Sequence, residues 1–162
     1  LAAVELLKSA LPHLRIRVVN VVDLMALQSP RHHPHGLADD AFDRMFTTDR
    51  PVVFAYHGYP YLIHRFVYKR TNHPNFHVHG FVEEGTTTTP FDMAVMNGID
   101  RFSLAIAALE NLPSLGTRAD PHVARLRAKL DEHARYVRAH GEDLPEICDW
   151  RWSTTVEGGA SA

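Results

Sequence analysis

The chain has 162 residues, 45% of them hydrophobic and 22% charged, which suffices for one α/β-sized domain with its own core and leaves no room for a second. Its formal net charge is -2 with neutral histidines, and the basic residues are dispersed along the chain, so composition argues against nucleic acid or an acidic membrane as a partner. Cys148 is the single cysteine, which rules out an internal disulfide and suits a reducing, cytoplasmic compartment.

Leu1, Val4, Leu7 and Leu11 recur at helical spacing until Pro12, which predicts an amphipathic helix at the start. Glu5, Lys8 and His13 do not fit a secretory leader, and no apolar run approaches the ~20 residues of a membrane span. Because the chain opens in mid-helix without a methionine, a preceding segment is expected. Arg15 to Val22 (RIRVVNVV) is rich in β-branched residues with apolar side chains on both faces, the pattern of a central strand covered by helices on each side.

Ser29 to Gly36 (SPRHHPHG) reads as a loop, and Asp39 to Phe46 as a short helix after it. Asp49, Arg50 and Pro51 turn into a second strand, Val52 to His57. Gly58 and Pro60 then mark a strand-to-helix turn, with Leu62, Phe66 and Val67 on the buried face of the helix that follows. Phe76 to Val82 (FHVHGFV) reads as a third strand, which Pro74 and Gly80 place near a sheet edge.

Thr89, Pro90 and Asp92 combine a hydroxyl cap, a proline at the first helical position and an early carboxylate, so a helix starts there and Gly98 stops or bends it. Asp100 caps the next helix, whose Leu104, Ala108, Leu109 and Leu112 make a stripe ended by Pro113. A long helix runs from Asp120 to His140, burying Val123, Leu126, Leu130 and Val137, and closes at Gly141. Trp150 and Trp152 are expected to pin the tail to the body or to a neighbouring subunit, and Ser153 to Ala162 reads as flexible. The reading is thus one α/β domain over residues 1–152 with a mostly parallel sheet, and a tail over 153–162.

Three places carry candidate chemistry. His57, Gly58 and Tyr59 stand where a strand ends and a helix begins, where open α/β sheets place ligands, and exposed backbone N–H groups there can take a small anion; the plainer reading is a tight turn packed on a neighbouring domain. Thr88 and Thr89 end the run Glu83 to Thr89 before a helix N-terminus and suit a phosphate, although simple capping explains them too, since no lysine or arginine lies in the motif. Among twelve histidines, His32, His33 and His35 share a loop, and His77 and His79 share a strand face. No cysteine or carboxylate stands at ligand spacing beside them, so no metal site is assigned. Arg65, Lys69 and Arg70 read as part of a solvated charged face. Cys148 has no base in its local pattern and is not assigned as a nucleophile.

Long ordered runs resemble phosphoketolase: RIRVVNVVDLMALQ (15–28), HPHGL (33–37), FDRMFTTDRPVVFAYHGYPYLIHRFVYKRTNH (42–73), EEGTTTTPFDMAVMNGIDRF (83–102) and HGEDLPEICDW (140–150). The resemblance covers nearly the whole chain and points to the C-terminal domain. It implies a three-layer α/β/α fold like the transketolase C-terminal domain, here with the first strand missing before Leu1. It also implies a full-length lyase that uses thiamine diphosphate and magnesium to cleave xylulose 5-phosphate, and often fructose 6-phosphate too, with phosphate. The products are acetyl phosphate and glyceraldehyde 3-phosphate or erythrose 4-phosphate. The implied partners are the other phosphoketolase domains and a second subunit.

No glycine-rich turn with aspartate and asparagine, which a magnesium-bound diphosphate requires, occurs in this chain, so neither cofactor nor catalytic residue is expected on it. The rival readings are a stand-alone small-anion-binding or regulatory α/β module and, more remotely, a histidine-based metalloenzyme. An upstream reading frame encoding a diphosphate-binding motif separates the first reading from the second.

Overall fold

The computed structural model describes residues 1–83, 85 and 87–152. The elements are α1 (Ala2–Ala10), α2 (Asp39–Phe46), β1 (Val52–Tyr56), α3 (Pro60–Val67), β2 (Phe76–Gly80), α4 (Pro90–Met96), α5 (Arg101–Glu110), α6 (Asp120–His140) and α7 (Pro145–Cys148). A 3-10 turn, Leu24–Leu27, precedes α2. Both hydroxyl and carboxylate caps form as the sequence predicts. The Thr89 side chain accepts from the Asp92 N–H, and that of Asp100 from the N–H groups of Phe102 and Ser103. Gly141 closes α6 with φ 68°, a left-handed conformation that a side chain would strain.

The fold is α/β. β1 and β2 pair in parallel, with Val52 opposite Phe76 and Tyr56 opposite Gly80, and α3 is the crossover between them. On one face of this sheet Phe54 and Phe76 meet Phe42 and Phe46 of α2 and Ile63 and Val67 of α3 in an apolar cluster. The Phe42 and Phe46 rings lie 4.6 Å apart. On the other side α5 contacts β1, and behind it a second, helical cluster joins Leu7 of α1, Phe102 and Leu109 of α5, Val123 and Leu126 of α6, and Leu144 and Ile147. Each large apolar side chain removed from water in these clusters contributes roughly 1.5–3 kcal/mol.

Arg15 to Val22 does not form the expected central strand: the segment joins no strand ladder. Leu14 and Ile16 pack on the helical cluster and Val19 and Val21 on the other, whereas Val18 is 56% and Val22 88% exposed. β-branched residues favour extended backbone, but only ladder partners and cover on both faces make a central strand. Here the covered positions change parity between Ile16 and Val19 and no ladder forms, and Arg17 holds the segment from its side chain by donating to the carbonyls of Arg44 and Met45 at 2.6 and 3.0 Å.

Two buried polar side chains after α3 organise the loops. The Arg70 guanidinium donates to the carbonyls of Leu27, Gln28 and Leu37 and to the Asp39 carboxylate at 2.6 Å, and it lies over the Phe42 ring at 4.3 Å. That fan of donors fixes both ends of the histidine-bearing loop. Asn72, fully buried, donates to the carbonyls of Phe46 and Arg50 at 2.9 and 2.8 Å and so sets the turn into β1.

Trp150 does pin the C-terminal side: its Nε1–H donates to the Glu5 carboxylate at 2.8 Å, and the Arg101 guanidinium lies 5.1 Å from its ring. Trp152 is largely exposed against it. Residues 153–162, read from sequence as a flexible tail, lie outside the described residues. Among the described residues no helix is long and apolar enough to cross a membrane.

Candidate functional site

At the C-terminal end of β1 the backbone must pass very close to the end of β2. A Cβ on Gly80 would stand 2.2 Å from the Gly58 carbonyl oxygen and 2.7 Å from Pro60, so only glycine fits there. This contact sets the turn His57 to Tyr59 directly against Phe81, whose N–H donates to the Tyr56 carbonyl at 3.3 Å. His57 stacks on the Phe81 ring at 5.1 Å, and Tyr59 stacks on Tyr61 at 5.9 Å. The Tyr59 hydroxyl donates to the Glu83 carboxylate, which holds the phenol above its ordinary range. His57 and Tyr59 are exposed and Gly58 half-buried, so the turn presents an aromatic, hydrogen-bonding rim to solvent.

Thr88 and Thr89 lie elsewhere. The Val82 N–H donates to the Asn97 side chain at 2.9 Å, and the His79 ring bonds the Gly98 carbonyl at 3.1 Å, so the strand ends meet the C-terminal end of α4. The threonines sit at its N-terminal end, about 10 Å away along a seven-residue helix. At that end a carboxylate of this same chain is already in place. Asp143 accepts from the Thr89 hydroxyl and from the Phe91 N–H at 3.2 Å, while Thr88 donates to Asp92 at 2.6 Å. The helix dipole there faces the Asp143 charge.

Behind these carboxylates stands His133 of α6, fully buried, with Nε2 3.7 Å from both the Asp92 and Asp143 oxygens and its ring edge against Phe91 at 5.0 Å. Sequence reasoning passed over His133 and Asp143. The signal for His133 was available: it continues the stripe of Val123, Leu126 and Leu130 at helical spacing. Asp143 carried none, since its partner lies 54 residues away.

His32, His33 and His35 ride on the loop that Arg70 anchors. The His35 Nδ1 is 2.8 Å from the Asp23 carboxylate, which is held below the usual carboxylate range by the Met25 N–H and by His35. His77, beside His79, is pushed below the usual imidazole range by burial first and the neighbouring ring second. Among the described residues no three or more histidines, cysteines and carboxylates converge as a metal site would require. Cys148 is exposed, its thiol 3.9 Å from the Asp143 carbonyl.

Comparison with known proteins gives the chain its family. Residues 1–152 match the family model described as the XFP C-terminal domain. The chain is 67% identical over 153 residues to a probable phosphoketolase of Brucella abortus (strain 2308), covering 94% of this chain and 19% of that protein. It is 66% identical over 152 residues to probable phosphoketolase 2 of Rhizobium meliloti (strain 1021), covering 94% and 20%, and 59% identical over 153 residues to a probable phosphoketolase of Nitrosomonas europaea, covering 94% and 19%. The chain therefore spans about a fifth of the length of these relatives. It belongs to the phosphoketolase family, as the C-terminal domain.

Proposed function

We propose that this chain is the structural and assembly domain of a thiamine-diphosphate-dependent phosphoketolase, an aldehyde-lyase that cleaves xylulose 5-phosphate, with fructose 6-phosphate as a second candidate substrate, with inorganic phosphate to acetyl phosphate and the shorter aldose phosphate. The observation that carries this reading is the match along residues 1–152 to relatives named phosphoketolase that are about five times as long. In this reading the other domains and a second subunit hold the substrate, and this domain stabilises the assembly. The cytoplasm is the proposed compartment.

The residues of this chain do not fit thiamine diphosphate and magnesium. Such a site needs a glycine-rich turn followed by hard oxygen donors, and the sequence has no such motif. Asp92 and Asp143, which both face His133, are already engaged by Thr88, Thr89 and the Phe91 N–H. No step of the reaction is therefore assigned to a residue of this chain.

What its own residues do is hold a rim. Gly80 against Gly58 fixes the strand-end turn, and Tyr59, Tyr61 and Tyr68 stand exposed along that turn and the helix beyond it. Large aromatics left in water on a rigid frame are the anchors that interfaces favour. The test is acetyl phosphate formation from xylulose 5-phosphate, phosphate, thiamine diphosphate and magnesium, comparing this chain with the full-length gene product. Activity in the full-length protein alone supports the proposal. Activity in this chain sinks it.

A further inference from the structure

We propose that the groove between the histidine-bearing loop and α3 binds a phosphate group, either free inorganic phosphate or the phosphate of a small phosphomonoester. The groove has a volume of about 250 Å³ and is lined by His32, Asp39, Arg65, Tyr68, Lys69 and Arg70. That size suits a small anion better than a large cofactor.

Charge decides the ligand class. The floor is Arg70, whose guanidinium is buried and matched by Asp39 and three carbonyls, so it is preorganised and contributes no free donor of its own. Above it, Lys69 has no carboxylate within ion-pair distance among the described residues. Its ammonium donates to the His32 Nε2 at 3.2 Å and lies 5.4 Å from the Tyr68 ring. Arg65, one turn earlier on the same face, has no hydrogen bond or ion pair among the described residues. Two cations thus face a groove whose single lining carboxylate is already taken by Arg70.

A guanidinium fork and an ammonium lining one groove match a tetrahedral dianion, whose several oxygens accept from both. His32 adds a ring within reach of the same ammonium, and Tyr68 and Phe66 also line the groove and offer aromatic surface to an ester substituent. The loop side cannot drift away, because Arg70 holds Leu27, Gln28 and Leu37 from beneath. This inference stands on the groove alone and does not depend on where the lyase chemistry occurs.

The experiment is a nuclear magnetic resonance titration of the isotopically labelled 162-residue chain with inorganic phosphate and, separately, glycerol phosphate, at constant ionic strength. The expected result is saturable shifts confined to residues 28–32 and 65–70, in the millimolar range or tighter. The double variant Arg65→Gln with Lys69→Gln should weaken binding at least about tenfold at an unchanged melting temperature. Lys69→Arg should keep most of the affinity, and Arg125→Gln on the exposed face of α6 should change nothing. Equal binding of both probes identifies free phosphate as sufficient; tighter binding of the ester identifies a phosphomonoester seated along Tyr68. Failure to saturate by about 20 mM, shifts spread over every basic surface, or undiminished binding in the double variant overturns the proposal.

Discussion

Trp150 and Glu5, 145 residues apart, share a hydrogen bond of 2.8 Å between the indole N–H and the carboxylate, so the last described segment is fastened to the first helix. Trp150→Phe keeps an aromatic ring beneath Arg101 but removes the donor together with the five-membered ring that carries it. It should lower stability by about 1 kcal/mol, read as a shifted denaturant midpoint at constant slope.

Arg70 is the side chain on which the middle of the chain depends. Arg70→Met keeps much of the volume against Phe42 but leaves the carbonyls of Leu27, Gln28 and Leu37 without their donor. The expected loss is about 3 kcal/mol. Arg70→Lys should recover only part of it, because one ammonium cannot reproduce a fork that serves four acceptors. Equal stability of the lysine variant and the parent, by thermal or denaturant unfolding, contradicts this account.

Asp143 acts as a remote cap for α4. Asp143→Ala removes the acceptor for both the Thr89 hydroxyl and the Phe91 N–H and should cost about 1–2 kcal/mol, whereas Asp143→Asn retains an acceptor and should cost less. Amide exchange in residues 90–96 should rise in the alanine variant ahead of the rest of the chain.

Gly80→Ala places a methyl 2.2 Å from the Gly58 carbonyl oxygen, where backbone and not a flexible side chain must yield. A loss of about 1–3 kcal/mol is expected, with resonances of residues 56–60 shifted. Wild-type stability in this variant means that the two strand ends are not so close.

The pH dependence follows from His77, whose imidazole is held below its ordinary value by burial, with His79 adding to the effect. The folded state then disfavours the protonated ring, so the unfolded chain binds more protons as acid is added. This contribution is fully present above the unfolded value of about 6.5 and is lost as pH falls below it. Unfolding free energy compared at about pH 7.5 and 5.5 should show a drop that His77→Gln reduces.

Local signals carried the helices and failed where partners are distant. Asp120–His140 begins and ends where a proline and a glycine indicate, and α4 and α5 begin where Thr89 and Asp100 cap them, because these devices act within one turn. In α3 the expected Val67 is fully buried, but Leu62 and Phe66 are half-buried and Ile63, which the pattern passed over, takes the other deepest position, a shift of the apolar face that the sheet beneath decides. The run at Arg15 looked like a strand because composition reports extended backbone and says nothing of a ladder partner. The candidate sites divide in the same way. The turn at Gly58 is readable from its own residues, whereas Asp143 reaching Thr89, His133 entering between two carboxylates and Arg70 turning from a surface charge into a buried clamp are all long-range contacts.

The helical cluster draws Leu7 from the beginning of the chain and Leu144 and Ile147 from near its end, with the sheet unit threaded between them. During synthesis the sheet-facing cluster can therefore assemble first, since all of its residues lie between Val19 and Val78. The helical one stays open until α7 has left the ribosome. Such a closure has high contact order, so the final folding step is slow relative to helix formation and exposes α1 and α5 to misassembly until it completes.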